Sequence, residues 1–86
     1  MDIQRIRSRI KAPKVSKKMP LVEIAGKNRV LIENHLGVLA YSLENIQIRV
    51  TYGKLSVNGS QLMLLEMNRE QLVIQGNITS LELYGG

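Results

Sequence analysis

The chain has 86 residues, of which 44% are hydrophobic, so it can form one small domain with a core. Three tyrosines are its only aromatic residues and it contains no cysteine, which predicts an aliphatic core and excludes disulfides, thiolate metal sites and cysteine nucleophiles. No apolar run approaches the ~20 residues of a membrane span and no apolar signal segment follows the basic start, so we expect an intracellular protein.

Positive charge is concentrated in the first eighteen residues, which we call the basic arm. Residues 1–18 carry seven basic side chains against Asp2 and have a net charge of +6. Residues 19–86 carry five basic and six acidic side chains and have a net charge of −1. This division predicts a basic arm over 1–18 followed by a single domain over 19–86.

The basic arm has the pattern of a short amphipathic helix. Its isoleucines recur at helical spacing with arginines between them, and Pro13 would end such a helix near Ala12. Because three turns are marginal for a free helix, we expect disorder in isolation and a helix when an acidic or apolar surface receives the arm. A membrane surface contacted through residues 1–12, a partner groove and a nucleic-acid backbone would each suit; the alternative is a solvated tail. The candidate contact residues are Ile3, Arg5, Ile6, Arg7, Arg9 and Ile10.

From Pro20 onward the apolar residues follow a period of two, which is typical of half-buried strands. The segments between them are rich in Gly and Asn, which favour tight turns. We therefore predict an all-β fold of about seven short antiparallel strands over residues 21–83, with no helix longer than two turns. The alternating pairs are Val22 and Ile24, Val30 and Ile32, Ile46 and Ile48, Leu55 and Val57, and Leu72 and Ile74; the predicted turns are Gly26-Lys27-Asn28, residues 34–37, Tyr52-Gly53, Asn58-Gly59 and Gly76-Asn77.

Two of these turns, Tyr52-Gly53 and Asn58-Gly59, have the form of two-residue hairpin turns, in which glycine accepts positive φ. A weak internal repeat of sixteen to seventeen residues places a strand, a turn and a strand in each unit. Such units stack into a small antiparallel sheet or sandwich, a rolled meander or a short solenoid, and the sequence leaves these arrangements open.

The segment 61–67 is apolar on both faces. Leu, Met and Glu favour helices, but the flanking Asn58-Gly59 and Asn68 and the length of seven residues favour a strand. A strand with two apolar faces belongs in the centre of a sheet or at a subunit contact, and a small chain without disulfides is marginally stable alone. We therefore expect a homo-oligomer with Leu62, Met63, Leu64 or Leu65 at or near the contact.

Few residues are available for catalysis. The chain has one histidine, His35, and one aspartate, Asp2, and it lacks a Gly-x-Ser-x-Gly turn and a glycine-rich phosphate loop. His35 and Glu33 supply two metal ligands where three or four are needed. We therefore expect no enzyme and no catalytic, metal-binding or cofactor-binding residue, with His35 instead hydrogen-bonding local backbone. The predicted structural turn residues are Asn34, His35, Gly37, Gly53 and Gly59.

Several motifs point to one known group of proteins. A strand led by Pro20 and a Gly-x-Asn turn at 26–28 precede the turn Glu33-Asn34-His35-Leu36-Gly37, and Tyr41-Ser42, Gly53-Lys54-Leu55 and Leu72-Val73-Ile74-Gln75-Gly76 follow. In these positions the chain resembles the YabP/YqfC family of endospore-formation proteins, most closely its YqfC branch. The likeness covers about residues 19–83, and the Glu-Asn-His-x-Gly turn is its most specific part.

The resemblance implies a protein of a spore-forming bacterium that acts in spore assembly rather than metabolism, and it carries over no catalytic residue. It also implies a membrane-associated sporulation protein of the YqfD type as a partner. We therefore predict a non-enzymatic structural or interaction protein that self-associates, located in the cytoplasm or at the periphery of a forespore membrane. The alternative is a small β nucleic-acid-binding module with a basic arm, although a body of net charge −1 with three tyrosines offers few stacking platforms.

Overall fold

The structure, a computed structural model, describes residues 19–85, and in that range it contains β-strands and no helix. The predicted all-β fold is confirmed. The strands are β1 (Leu21–Ala25), β2 (Arg29–Glu33), β3 (Val38–Tyr41), β4 (Asn45–Val50), β5 (Gly53–Met67) and β6 (Gln71–Gly85). They form one sheet in the order β1-β2-β6-β5-β4-β3, and every neighbouring pair is antiparallel.

β5 and β6 are long enough to take part in two halves of this sheet. They pair with each other as one hairpin along their whole length. β2 and then β1 add to residues 71–75 of β6, which makes the first half. β4 and then β3 add to residues 53–58 of β5, which makes the second half.

The core lies between the two halves. The alternating aliphatic residues of both halves belong to one cluster, and none of them is more than 5% exposed. A flat sheet cannot bury one of its own faces in this way, so the sheet folds over and the two halves face each other. The cluster contains Val30, Ile32, Leu72 and Ile74 of the first half, Ile46, Ile48, Val50, Leu55 and Val57 of the second half, and Leu62 at the bend.

The bend is produced by irregular pairing in the middle of β5 and β6. A bulge puts an extra residue on one strand and so bends it and increases its twist. Gln61, which lies inside such an irregular stretch, has a left-handed φ of 52°. The register shifts between Asn58 and Gly59, between Ser60 and Met63, and between Leu64 and Glu66.

The prediction of turns at Asn58-Gly59 and Gly76-Asn77 is wrong, because both pairs lie inside the long strands. A Cβ atom on Gly59 would overlap the Asn77 carbonyl oxygen, and one on Gly76 would lie 2.7 Å from the Gln61 carbonyl oxygen. These glycines therefore allow two backbones to approach closely and do not reverse the chain. With these two turns absent, residues 19–85 form six strands where about seven were predicted.

The hairpin between β4 and β5 lies where it was predicted, with its turn one residue earlier. Val50 pairs with Gly53, so the turn residues are Thr51 and Tyr52. Gly53 opens β5 with φ 143°, a value that favours glycine. The segment 61–67 is strand, as predicted, and not a helical turn.

Candidate interaction surfaces

The turn between β2 and β3 carries the chain from the first half of the sheet to the second. Asn34 has φ 65° and Gly37 has φ 127°, left-handed values that Asn and Gly tolerate best. The Asn34 backbone N–H donates to the Glu70 carbonyl at 2.7 Å, and its side-chain amide donates to the Met19 carbonyl at 2.9 Å. The turn therefore holds both the β5–β6 connection and the residues that precede β1.

His35 is buried in this turn, with 8% of its surface exposed. The Gly37 N–H donates to Nδ1 at 3.0 Å, so Nδ1 carries no proton. The contact of 2.9 Å between Nε2 and the Asn68 carbonyl oxygen is then a donation from Nε2. Both ring nitrogens are occupied by backbone groups, which leaves neither for a metal ion or a substrate and indicates a structural residue.

His35→Ala is expected to lower the free energy of unfolding by about 1–3 kcal/mol, because the Asn68 carbonyl and the Gly37 N–H lose their partner in a buried turn. His35→Gln retains one hydrogen-bonding group and is expected to cost about 0.5–1.5 kcal/mol. Urea denaturation followed by far-UV circular dichroism measures both differences. An Ala variant as stable as the parent would show that the ring does not hold the turn.

The predicted self-association segment is divided between the core and the surface. Leu62 is 1% exposed and belongs to the core, so it offers little surface to a second subunit. Leu64 packs against the core, and its N–H donates to the Tyr41 hydroxyl at 3.2 Å. Met63 and Leu65 are 49% and 45% exposed. Association through these two side chains stays a prediction.

β1 is an exposed edge strand, and it was not predicted from the sequence as an interaction surface. Among the described residues it pairs only with β2, in a register without a bulge, and all five of its residues are exposed. Leu21 lies on one face and Val22 and Ile24 on the other, and Glu23 is its single charge. A regular, largely apolar strand edge is one that readily pairs with another chain. The position of Pro20 just before the strand is the signal for an edge that the sequence contained.

β3 forms the opposite edge of the sheet and is less suited to pairing. Its register with β4 shifts between Val38 and Ala40, and a bulge of this kind turns an edge away from a partner. Val38 packs against the core. Leu39 and Tyr41 are exposed, but the Tyr41 hydroxyl already contacts β5.

The outer face of the second half is a network of polar side chains. The Asn45 amide donates to the Ser56 hydroxyl at 2.8 Å. The Lys54 ammonium lies 5.3 Å from the centroid of the Tyr84 ring. The hydrogen bond of 2.7 Å that the Tyr84 hydroxyl donates to Glu82, together with the charge of Glu82, raises the pKa of Tyr84. These polar side chains contact one another, so this face is polar and many of its side-chain groups already have partners within the sheet.

The described residues contain no group of three or more His, Asp or Glu side chains placed to hold a metal ion. Nor does any helix in the range 19–85 have the length and hydropathy needed to cross a membrane. The predicted contact residues of the basic arm lie outside the described residues, and their roles stay predictions; they are Ile3, Arg5, Ile6, Arg7, Arg9 and Ile10.

The fold and these surfaces define a small all-β protein built on one rolled antiparallel sheet, with a histidine-centred turn joining its halves. The profile of the YabP family matches residues 16–86, and the chain therefore belongs to the YabP family. It is also 24% identical over 66 residues to the uncharacterized protein YqfC of Bacillus subtilis strain 168, an alignment covering 77% of this chain and 71% of that relative. No solved structure matches the chain significantly. The resemblance predicted from the motifs is confirmed, and it supports a sporulation-related protein.

Proposed function

We propose that this protein is a non-enzymatic structural and interaction protein of endospore formation, and that it self-associates by pairing strands at the free edge of β1. Family membership supports the setting in sporulation. The exposed and regular β1 edge supports assembly as the mode of action. By resemblance, its partner is a membrane-associated sporulation protein of the YqfD type, met in the cytoplasm or at the periphery of a forespore membrane.

Lysine and arginine, which guard strand edges in other proteins, are absent from β1, whose single charged side chain is Glu23. Lys27 lies in the turn that follows it, and the Arg29 guanidinium on β2 donates to the Gln75 side chain at 2.8 Å. Lys54 donates to the Gln47 side chain at 3.2 Å on the far half of the sheet. A second strand at β1 would satisfy the free backbone groups of this edge and reduce the exposure of the apolar side chains on both of its faces.

Val22→Lys combined with Ile24→Lys is expected to convert an oligomer of the full chain to the monomer, because two ammonium groups on one face of β1 oppose strand addition. Light scattering at matched protein concentration measures the mass. The matched control is Met63→Lys combined with Leu65→Lys, which places the same charge on the other exposed apolar pair and is expected to leave the mass unchanged.

Each result of this experiment decides between the surfaces. A parent chain that is monomeric contradicts self-association. If the Met63 and Leu65 double variant is monomeric while the β1 double variant stays oligomeric, the contact lies at Met63 and Leu65, within the segment predicted from the sequence. Far-UV circular dichroism of each variant shows whether its sheet is retained, so loss of mass through unfolding is recognised.

Binding of nucleic acid through the basic arm is the second candidate, carried by the net charge of +6 on residues 1–18. Affinity of this origin falls steeply and linearly in a plot of log affinity against log salt. Association through apolar strand edges persists or strengthens as salt rises. A salt series on the same preparation, with and without a DNA oligonucleotide, therefore separates the two functions.

A further inference from the structure

The outer face of the first half is a sheet face that no described element covers. A row across its four strands runs Glu23 on β1, Leu31 on β2, Val73 on β6 and Glu66 on β5, as the pairing register shows. Leu31 and Val73 are half-buried at its centre. We call this surface the open face. It consists of that row and the rows on either side of it, which are Leu21, Glu33 and Gln71 on one side and Ala25, Arg29, Gln75 and Met63 on the other.

We propose that the open face is the docking surface of the protein's own basic arm, residues 1–18. The arm is predicted to carry an isoleucine stripe flanked by arginines, and the open face offers an apolar centre flanked by carboxylates. The charges are complementary, because the arm has a net charge of +6 and the face carries Glu23, Glu33 and Glu66 against one cation, Arg29, a net charge of −2. No ion pair within residues 19–85 neutralises these three glutamates.

The point at which the arm leaves the described structure favours the same surface. Met19 is half-buried, and its carbonyl accepts a hydrogen bond from the Asn34 side chain, so the chain is anchored where β1 begins. Leu21, two residues later, already lies on the open face opposite Glu33. The six residues 13–18 can reach about 20 Å when extended, which exceeds the ~14 Å across four strands.

The dimensions of the arm also match the face. A helix over residues 3–12 would be about 15 Å long, close to the ~14 Å that separate the outer strands of a four-stranded sheet. The outer face of the second half is a poor alternative, because it presents Arg49 and Lys54 against Glu82, a net charge of +1, whereas the open face has −2. This inference does not depend on self-association at β1, since it concerns a face of the sheet and not its edge.

The absence of cysteine allows a clean test in the full chain. Ser8→Cys, on the side of the predicted helix opposite the isoleucine stripe, accepts a nitroxide spin label. Paramagnetic broadening is then read from the backbone amides in an NMR spectrum. The amides of Leu31 and Val73 are expected to lose most of their intensity, whereas those of Gln47 and Ser56 on the outer face of the second half are expected to keep theirs.

The six glutamates of the body supply a matched control. The triple variant Glu23→Gln, Glu33→Gln and Glu66→Gln is expected to restore the intensity at Leu31 and Val73. The triple variant Glu44→Gln, Glu70→Gln and Glu82→Gln changes the net charge equally at other places and is expected to leave the broadening as it was. The same spectra report whether each variant is folded.

Three outcomes would overturn the proposal. One is the absence of broadening at Leu31 and Val73 in the folded parent, which would mean that the arm is received elsewhere, for example by a membrane or a partner. Another is equal loss of broadening in both triple variants. The third is broadening in a mixture of two chains that both carry Val22→Lys and Ile24→Lys, one spin-labelled without isotope and the other isotope-labelled without spin label, because the arm would then dock on a second copy without strand pairing at β1.

Discussion

Gly59→Ala is expected to lower the free energy of unfolding by about 3 kcal/mol, as the most severe cases of overpacking do. The new Cβ would overlap the Asn77 carbonyl oxygen, which is backbone and cannot rotate away as a flexible side chain can. The pairing of β5 with β6 would have to open at the bend, and both halves of the sheet depend on that pairing. Since small domains have total stabilities of about 5–15 kcal/mol, a large share of this protein is expected to unfold on mild denaturation.

Gly85→Ala is the matched control for this substitution. A Cβ atom at Gly85 would meet no atom within 4 Å. The control variant is expected to unfold at the same urea concentration as the parent, and Gly59→Ala at a much lower one. If the two variants had the same midpoint, the close approach of β5 and β6 would not be a requirement of the fold.

Ile74→Ala is expected to cost about 2–5 kcal/mol, the range for removing a buried aliphatic side chain from a packed core. Ile74 is fully buried on β6, between Val30 on β2 and Leu64 on β5. It also faces the second half of the sheet across the core. The loss therefore comprises the transfer energy of the missing atoms and the cavity left between two layers that cannot close over it.

Leu43→Ala removes a side chain of the same volume from a position that is 65% exposed, and it is expected to change the stability by less than about 0.5 kcal/mol. Urea titrations of the two variants give the comparison directly. Similar losses in both would mean that the sheet does not fold over to bury Ile74.

The strands were predictable because apolar residues alternate along them with a period of two, which burial at Val30 and Ile32 or Ile46 and Ile48 reproduces in β2 and β4. The turns predicted at Asn58-Gly59 and Gly76-Asn77 are absent because glycine has two structural roles, reversing the chain and allowing close backbone contact, which a sequence does not distinguish. At Gly53 the backbone needs a positive φ, and the predicted hairpin follows. At Gly59 the backbone needs room for a neighbouring strand, which depends on the register of residues about eighteen positions away.

For a related reason, the sequence could not show which residues of the segment 61–67 are buried and which are exposed. The left-handed Gln61 and the bulges around it interrupt the alternation, so that Leu62 turns into the core and Met63 turns out. Likewise, the residue types of the 34–37 turn predicted a hydrogen bond of His35 to local backbone, which Gly37 provides, but the contact with Asn68 joins groups 33 positions apart. Only the folded arrangement of the two halves places them together.

The β5–β6 hairpin sets the order in which this chain is expected to fold. Its strands are joined by three residues, and the Asn68 side chain closes the turn by accepting the N–H groups of Glu70 and Gln71. By contrast, β2 meets β6 through residues such as Arg29 and Gln75, which are 46 positions apart. Closing a short loop loses less chain entropy than closing a long one, so local pairings form sooner. The hairpin is therefore expected to form first, with β4 added early and β2 late. The turn between β2 and β3, which contains His35, is then expected to form near the end of folding.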